Sequence, residues 1–510
     1  MSVRPEIILG PPGTGKTTTL LGLVDEELAR GTPPDRIGFV TFTKKAAREA
    51  LERAVKRFSI DRRDLRFFRT LHSLCFQTLG MTSGDVMEGK RVVEFGRWLG
   101  IELSESVSMD EGSAFGYQPG DRALFLENLA RVRCVSLEEQ YREASDLVPW
   151  SLVERVSRGL QQYKKDNHLV DYTDMLRMFV DLSRPPRLDV LFVDEDQDLS
   201  RLQWMVVAKL AERCRRVVLA GDDDQAIYRW AGADIEHFLR MEGDVRVLGQ
   251  SWRVPRSIQQ ISSGVIGRVK NRREKEWAAR DEDGEVVRVG AISEVDYSGE
   301  SVLVLARNVF LMRDRVMPLM RQLGLIYDWK GNTSVKRSIL EAILVWERLR
   351  RGELVTVEDA LKTYEYMSSG AGVKRGYKSL PGLNPEQEVT LSDLRARGGL
   401  LRDEIWHEAL DRISADERAY MLRALRQGES LRRDPRVHLS TIHGAKGGEA
   451  DHVVLLRDMA PRSFNEMQAA REDEARVWYV AVTRARKKLT IVGPRSRYQY
   501  EVESRAAENA

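Results

Sequence analysis

The residues best suited to chemistry lie close to the N-terminus, in the stretch IILGPPGTGKTTTL. Gly10–Thr17 follows the pattern G-x-x-x-x-G-K-[ST]. In this pattern the glycines allow a tight loop whose backbone N–H groups point at phosphate oxygens, and the following helix presents its positive end to them. Lys16 can reach the β- and γ-phosphates, and Thr17 can offer its hydroxyl to Mg²⁺. The residues expected to bind nucleotide are Gly10, Gly13, Gly15, Lys16, Thr17 and Thr18.

A second stretch, LDVLFVDEDQDLS, places carboxylates after an apolar run. Val190–Val193 predicts a buried strand, and Asp194 and Glu195 follow at its carboxyl end, where ligands bind in open α/β sheets. Asp194 is expected to hold Mg²⁺ together with Thr17, and Glu195 to orient and deprotonate an attacking water. The alternative, an acidic loop that caps a helix, would explain Asp198 alone. The two stretches together predict a P-loop core that hydrolyses a nucleoside triphosphate.

A third stretch, VVLAGDDDQAIYRWAGAD, predicts another strand of the same sheet followed by a loop at the same edge. Its neutral Gln225 is expected to sense the γ-phosphate by hydrogen bonding. If the chain is extended, Tyr228 and Trp230 lie about 10 Å or more from the phosphates. Their rings are expected to stack on single-stranded bases, with core filling as the alternative. The carboxylates Asp222–Asp224 are interpreted as partly ligand-sensing and partly solvated.

The elements that position these residues must fit a chain of 510 residues, which is too long for one core and predicts two to four domains. No apolar run approaches the roughly 20 residues that span a bilayer, and the N-terminus has no signal-peptide core, so a cytoplasmic protein is expected. Net charge is only +3, but residues 43–69 carry ten Lys or Arg against four Asp or Glu. The three scattered cysteines lack metal-ligand spacing and are expected to be buried thiols.

Nine stretches, in order along nearly the whole chain, resemble the motifs of superfamily 1 DNA helicases of the UvrD/Rep/PcrA type. Besides the three above they are FVTFTKKAAREAL, TLHSLC, LGQSWRVPRSI, VLVLARN, VHLSTIHGAKGGEADHVVLL and EARVWYVAVTRARKKL, with DYTDM before the carboxylate strand. The resemblance implies an α/β fold of two RecA-like P-loop domains. Their parallel sheets flank a nucleotide cleft, and each domain carries a mostly helical insertion.

The resemblance also implies roles for single residues. Arg253 and Arg484 would reach the γ-phosphate as arginine fingers, Trp252 would stack on adenine, and Glu449 would face the ribose. With Glu195 and Gln225, the two arginines make up the expected catalytic set. The residues expected to contact DNA are Phe42, Thr70, His72, Tyr228, Trp230, Arg307, Thr441, His443 and Lys446.

The motif order implies a domain layout. The first lobe is expected at 1–84 and 166–247 with a helical insertion at 85–165, and the second lobe at 248–345 and 430–498 with a reduced helical insertion at 346–429; a polar tail follows at 499–510. Only six residues precede Ile7, so the family's upstream adenine-reading Gln has no counterpart. Base discrimination is therefore expected to rest on Trp252.

The resemblance implies an ATP-dependent DNA helicase that uses ATP and Mg²⁺ and moves 3′→5′ on single-stranded DNA. One alternative is a translocase that strips proteins from DNA with little unwinding, which the reduced second insertion favours. Another is a non-hydrolysing, nucleotide-gated binding protein, against which Glu195, Arg253 and Arg484 argue. The expected partners are single-stranded DNA, single/double-strand junctions and unidentified replication or repair proteins. A monomer without membrane contact is expected.

Overall fold

The computed structural model describes residues 3–42, 44–105, 118–144, 148–182, 184–299 and 301–503. Residues 504–510 of the expected polar tail, and 106–117 and 145–147 of the expected first insertion, lie outside the described residues. The chain divides into two compact units. The first comprises Met1–Ala291, Leu305–Val309 and Thr441–Ala510, and the second comprises Ile292–Val304 and Phe310–Ser440. The finer division into two lobes and two insertions stays a prediction.

The strands are β1 (Glu6–Leu9), β2 (Ile37–Thr41), β3 (Phe68–Thr70), β4 (Val190–Asp194), β5 (Arg216–Gly221), β6 (Asp244–Val247), β7 (Gln250–Pro255), β8 (Ala278–Arg280), β9 (Glu285–Val289), β10 (Val302–Ala306), β11 (Tyr327–Trp329), β12 (Asn332–Thr333), β13 (Val355–Thr356), β14 (Glu388–Val389), β15 (Val437–Thr441), β16 (Ala450–Leu456) and β17 (Ala485–Val492).

The α-helices are α1 (Lys16–Ala29), α2 (Lys44–Phe58), α3 (Leu71–Thr78), α4 (Lys90–Leu99), α5 (Pro119–Arg133), α6 (Leu137–Glu143), α7 (Trp150–Asp166), α8 (Tyr172–Val180), α9 (Arg201–Ala211), α10 (Ile235–Arg240), α11 (Arg256–Ile266), α12 (Val309–Leu311), α13 (Met317–Leu323), α14 (Arg337–Arg350), α15 (Val357–Glu365), α16 (Leu391–Ala396), α17 (Trp406–Ala409), α18 (Ala415–Arg426), α19 (Pro461–Ala469) and α20 (Arg471–Val482).

Six strands of the first unit form one parallel sheet in the order β3-β2-β4-β5-β1-β6. The central strands β4 and β5 are buried almost throughout, as expected for apolar runs in a sheet covered on both faces. Because neighbouring strands are parallel, the loop after β1 and the carboxyl ends of β4 and β5 lie at the same edge. The backbone N–H of Gly10 donates to the carbonyl of Gly221 at 3.0 Å. The three strands predicted from their apolar runs are confirmed.

The first unit also contains the parallel strands β16, β17 and β9, in that order. Helix α20 is buried from Glu474 to its end at Val482, so it is a core helix rather than an amphipathic surface helix. Arg484 lies between the end of α20 and the start of β17, and its side chain is buried inside the first unit. The parallel sheets and their covering helices confirm the predicted α/β class.

Helices α4–α7 pack around an apolar core of their own within the first unit. This core includes Phe95, Leu126, Val153, Val156 and Tyr163. In the second unit, helices α14–α18 surround a core that contains Trp346, Tyr364, Leu394 and Met421. The indole N–H of Trp346 donates to the carbonyl of Glu404 at 3.0 Å, so this buried ring is satisfied.

The second unit has short strands beside its helices. Strand β11 pairs antiparallel with β12 and parallel with β15, and β13 pairs antiparallel with β14.

Cys75 and Cys214 are buried thiols as expected, but that expectation is wrong for Cys134, which is exposed at the end of α5 in a left-handed conformation (φ 56°). Across the described ranges, no helix combines the length and apolar character needed to cross a membrane.

Candidate functional site

The loop Gly10–Thr17 has the geometry of a phosphate cradle. Gly13 and Gly15 have φ values of 73° and 82°, in the region that favours glycine. A Cβ on Gly10 would lie 1.9 Å from Cγ of Lys16, so only glycine fits beneath that side chain. The Lys16 ammonium donates to the carbonyl of Gly10 at 2.8 Å, which holds the lysine across the loop. Helix α1 begins at Lys16 and directs its N-terminal N–H groups into the cradle.

A hydroxyl and a carboxylate suited to Mg²⁺ meet beside this loop. The Thr17 hydroxyl donates to Oδ2 of Asp194 at 2.7 Å. Asp194 is buried, and burial together with the neighbouring charge of Glu195 raises its pKa to about 6. A cation would remove this excess of negative charge, and hydroxyl and carboxylate oxygens are the ligands that Mg²⁺ accepts. The residues present therefore fit the metal.

Glu195 is held in an unusual conformation. Its φ is 58°, in the left-handed region, where a residue with a side chain is strained. The amide of Gln197 donates to Oε2 of Glu195 at 2.5 Å. Burial alone would raise the pKa of Glu195, but the charges of Lys16 and Lys446 outweigh it and bring the pKa to about 2. The side chain is therefore ionised at neutral pH, as a proton acceptor must be.

The acidic run Asp222–Asp224 is not solvated, so that part of its interpretation is wrong. All three side chains are buried, and the ammonium of Lys275 lies among them. Arg272 adds an ion pair with Asp224, its Nε lying 2.8 Å from Oδ1. Three neighbouring carboxylates can be buried only when cations and hydrogen bonds compensate the loss of water.

Gln225 links the acidic run to an arginine. Its amide nitrogen donates to Oδ2 of Asp222 at 2.7 Å, and its amide oxygen accepts from Nη2 of Arg484 at 2.9 Å. Arg484 is fully buried, and burial followed by the nearby charge of Arg253 lowers its pKa to about 9. The residue expected to sense the γ-phosphate and one expected arginine finger are thus in direct contact.

Strand β7 brings the other arginine to the phosphate loop. The Ser251 hydroxyl donates to the carbonyl of Pro12 at 2.7 Å, and the Trp252 N–H donates to that of Gly13 at 2.9 Å. Arg253 forms an ion pair with Glu449, the residue expected at the ribose. Trp252 is 73% exposed, so its ring is available to stack on a base.

Four of the residues expected to contact DNA form an aromatic cluster. Tyr228 stacks on Phe42 with ring centroids 5.3 Å apart and lies 6.4 Å from Trp230. The imidazole of His443 lies 6.3 Å from Trp230 and 6.4 Å from Tyr228. Trp230 is only partly buried and lines a cleft of about 230 Å³ together with His443. Trp230 and Tyr228 are both half-buried, and their stacking on single-stranded bases stays a prediction.

The structure also shows a member of this cleft that the sequence reasoning missed. Phe125 of α5 lies 6.4 Å from Trp230, with the two ring planes 31° apart. It comes from the expected first insertion, about a hundred residues earlier in the chain. No motif marks Phe125, and α5 has no amphipathic pattern that would have set this residue apart.

Other residues expected at DNA are engaged within the protein. The Thr70 hydroxyl caps α3 by accepting from the Ser73 N–H at 3.2 Å, and the Thr441 hydroxyl accepts from the Gly444 N–H at 3.1 Å. The ring of His72 lies edge-on to Tyr172, with centroids 5.9 Å apart. Their contacts with DNA stay predictions.

Two basic residues expected at DNA are paired with acids here. Arg307 is buried, and its Nε lies 2.8 Å from Oε1 of Glu474. The Lys446 ammonium contacts the buried carboxylate of Asp198, donates to the carbonyl of Gln225 at 2.7 Å and lies 5.0 Å from the ring centroid of Tyr228. The contact of Lys446 with DNA stays a prediction; within the protein, its side chain contacts Asp198, the carbonyl of Gln225 and the Tyr228 ring.

Two family models and several curated proteins match this chain. The family model of the UvrD/REP helicase N-terminal domain matches residues 2–246, and that of the UvrD-like helicase C-terminal domain matches residues 410–495. ATP-dependent DNA helicase PcrA of Bacillus subtilis (strain 168) is 28% identical over 299 residues, 54% of this chain and 40% of that protein. PcrA of Staphylococcus epidermidis is 23% identical over 619 residues, 97% of this chain and 82% of that protein.

A solved complex of the Arterivirus nonstructural protein 10 helicase with DNA aligns at a TM-score of 0.33 and 12% identity, over 97% of this chain and 62% of that chain, which is too low to support an argument. The match to the Bacillus subtilis relative spans less than half of that protein's length. The two family models, in contrast, cover the phosphate loop, the carboxylate strand, the aromatic segment and both ends of α20. The chain belongs to the superfamily 1 helicases of the UvrD/Rep/PcrA type.

Proposed function

We propose that the chain is an ATP-dependent DNA helicase that translocates 3′→5′ along single-stranded DNA. The observation that supports this most is the segment Gly221–Gly232. At one end Gln225 contacts the buried Arg484, and three residues later Tyr228 joins the aromatic cluster. Loss of the γ-phosphate would therefore change the contacts of Gln225, only three residues from a ring that would stack on the bases. The 3′→5′ direction is inferred from the family.

The proposed nucleotide site is built from side chains that already face one another. The N–H groups at the start of α1 and the Lys16 ammonium would hold the phosphates. Thr17 and Asp194 would hold Mg²⁺, which supplies positive charge to the phosphate oxygens when bound. Trp252 is exposed enough to stack on the base.

Hydrolysis requires a proton acceptor and a stabiliser of phosphoryl charge. Glu195 is ionised and would accept a proton from the attacking water as that water meets the γ-phosphorus. Arg484 and Arg253 would stabilise the charge that develops on the transferred phosphoryl group. Arg253 must exchange its ion pair with Glu449 for the phosphate, which makes Glu449 free to turn to the ribose.

Translocation would couple this chemistry to base stacking. Bases would stack on Tyr228 and Trp230, where each stacked base contributes about 1–3 kcal/mol. Loss of the γ-phosphate would release Arg484 and Gln225, and the two proposed RecA-like lobes would separate and close again in each cycle. Lys446, which touches both Asp198 and the Tyr228 ring, is suited to transmit this change.

Strand displacement on tailed duplexes tests the proposal. Duplexes with a 3′ single-stranded tail should be unwound in the presence of Mg-ATP, and those with a 5′ tail or a blunt end should not. Unwinding from the 5′ tail alone would overturn the direction. If neither duplex is unwound but a protein bound to the single strand is displaced, the chain is a translocase of the stripping kind, and failure of both reactions would overturn the proposal.

A further inference from the structure

A single lysine occupies the centre of the acidic run. The ammonium of Lys275 lies 3.0 Å from Oδ1 of Asp222 and 3.1 Å from Oδ2 of Asp224, and it contacts Asp223 as well. Its side chain is 1% exposed. An ammonium has three N–H donors, so each of the three carboxylates can receive one. The cage is therefore filled by a cation that belongs to the chain.

Asp222 has a second set of contacts that Asp224 lacks. Its Oδ2 accepts from the amide of Gln225, and its backbone N–H donates to the amide oxygen of Gln197 at 2.9 Å. Burial would raise the pKa of Asp222, but the charges of Lys275 and then Lys16 hold it below its usual value. Asp222 therefore contacts two glutamines, Gln225 through its side chain and Gln197 through its backbone N–H.

Each glutamine is forced into one orientation by its partners. Gln225 faces a carboxylate, which only accepts, and an arginine, which only donates, so its nitrogen must face Asp222 and its oxygen Arg484. Gln197 accepts from the Asp222 N–H, so its nitrogen must face Glu195. Two continuous chains of hydrogen bonds therefore run from Asp222, one to Arg484 and one to Glu195.

We propose that Lys275 is a positioning residue for hydrolysis: by holding Asp222 in place, it orients Gln225 and Gln197 and, through them, Arg484 and Glu195. This inference rests on the proposed function, because it assumes that Glu195 and Arg484 act on the nucleotide. Lys275 itself touches neither of them in these contacts and needs no contact with substrate.

The segment that carries Lys275 is anchored independently. The Arg476 side chain of α20 donates from Nε to the carbonyl of Asp223 at 2.9 Å and from Nη2 to the carbonyl of Asn271 at 2.7 Å. The Arg273 N–H donates to Oδ2 of Asp223 at 3.0 Å. Because these contacts do not involve Asp222, the segment keeps its place when the Lys275–Asp222 contact is removed.

The first test compares two isosteric changes on adjacent carboxylates. Asp222→Asn and Asp224→Asn each remove one buried negative charge from the same cage, but only Asp222 contacts the glutamines. We expect Asp222→Asn to lower the kcat of DNA-stimulated ATP hydrolysis at least tenfold with KM changed less than threefold. Asp224→Asn should keep kcat within about threefold of the wild type.

The second test removes the lysine itself. Lys275→Met keeps most of the side-chain length without the charge, and Arg272→Met is its control, since Arg272 contacts Asp224 but not Asp222. Both variants should melt at lower temperature, yet only Lys275→Met should lose kcat at least tenfold while still binding a fluorescent ATP analogue. If Lys275→Met does not fold, the asparagine pair decides alone.

The outcomes separate this inference from the proposed function. Equal kcat values for Asp222→Asn and Asp224→Asn in folded protein, or a Lys275→Met variant with wild-type kcat, would overturn the role of Lys275. A wild-type protein without any ATP hydrolysis would overturn the proposed function instead.

Discussion

Glu195 is the side chain on which hydrolysis depends in this account. It is ionised, held by Gln197 and placed directly after the residue expected to bind the metal. Replacing it with Gln keeps the shape and can keep the contact with Gln197, but an amide cannot accept the proton of water. We expect Glu195→Gln to lower kcat by about 10²-fold or more while nucleotide and DNA binding persist. Steady-state ATPase assays and equilibrium titrations measure the two properties.

The control for that variant is the next residue. Asp196 is fully buried, and neither of its carboxyl oxygens has a hydrogen-bond partner within the described part of the chain. Burial, then the charges of Glu195 and Asp194, raise the pKa of Asp196 well above its usual value. Asp196→Asn should therefore keep kcat within about threefold. Near-normal hydrolysis by Glu195→Gln would remove Glu195 from its proposed role.

Arg253 and Arg484 should contribute more to the kcat of ATP hydrolysis than to the affinity for ATP. If both stabilise the transferred phosphoryl group, replacing either with Ala should lower kcat by about 10³-fold or more and change ATP affinity less. Lys should rescue poorly, because the planar guanidinium is lost. Arg486→Ala, on an exposed side chain that pairs with Glu449 and Asp451, is the control and should keep kcat. An unchanged kcat in either Ala variant would exclude that arginine.

Because of the exposed Trp252, we expect the protein to hydrolyse purine nucleotides other than ATP. Its side chain is largely exposed and would stack on any purine. GTP should therefore support hydrolysis within about tenfold of ATP, a difference of about 1.4 kcal/mol. Comparing kcat/KM for the two nucleotides measures this, and a preference for ATP beyond a thousandfold would mean that another residue reads the base.

Substitutions at the two ends of the segment Gly221–Gly232 should have different effects on DNA binding and on ATP hydrolysis. Trp230→Ala should weaken single-strand binding by about 1–3 kcal/mol and leave DNA-free ATPase nearly intact. Gln225→Ala should leave DNA binding nearly intact but reduce the stimulation of hydrolysis by DNA, because Arg484 loses its link to the segment. DNA titrations and ATPase assays on both variants test this division.

Thermal melts provide the control for the tryptophan. Trp204 is buried in the core of the first unit, so Trp204→Ala should destabilise the fold by about 3–5 kcal/mol. Trp230→Ala should melt much closer to the wild type. A large fall in the melting temperature of Trp230→Ala without a selective DNA defect would support a core role for that ring and contradict its stacking role.

The strand that leads into this segment could be predicted from the sequence, but the burial of its carboxylates could not. Strands β1, β4 and β5 are predictable because each is an apolar run followed by polar residues, and these short-range patterns depend on neighbours in the chain. The burial of Asp222–Asp224 is not predictable in this way, because its partner Lys275 lies about fifty residues later. The stretch KNRREKEW around Lys275 has the composition of a solvated surface, and only its pairing with an acidic run reveals its role.

For the whole molecule, the family match and the α/β fold were both predictable, since ordered motifs cover most of the chain. The ion pairs of Arg307 and Lys446 were not, because a basic residue in a DNA-binding motif indicates a negatively charged partner without distinguishing DNA from a nearby carboxylate. The contribution of Phe125 was missed because it depends on how α5 packs against helices α8 and α9.

In the proposed function, the segment Gly221–Gly232 couples a hydrolytic nucleotide site to single-stranded DNA. The most direct measurement is the rate of ATP hydrolysis by the full chain, with Mg²⁺, in the absence and presence of a single-stranded oligonucleotide, and with a blunt duplex of the same sequence as control. We expect at least tenfold stimulation by the single strand, little stimulation by the duplex, and loss of the stimulated rate in Glu195→Gln. Hydrolysis that is unaffected by single-stranded DNA, or no hydrolysis at all, would contradict it.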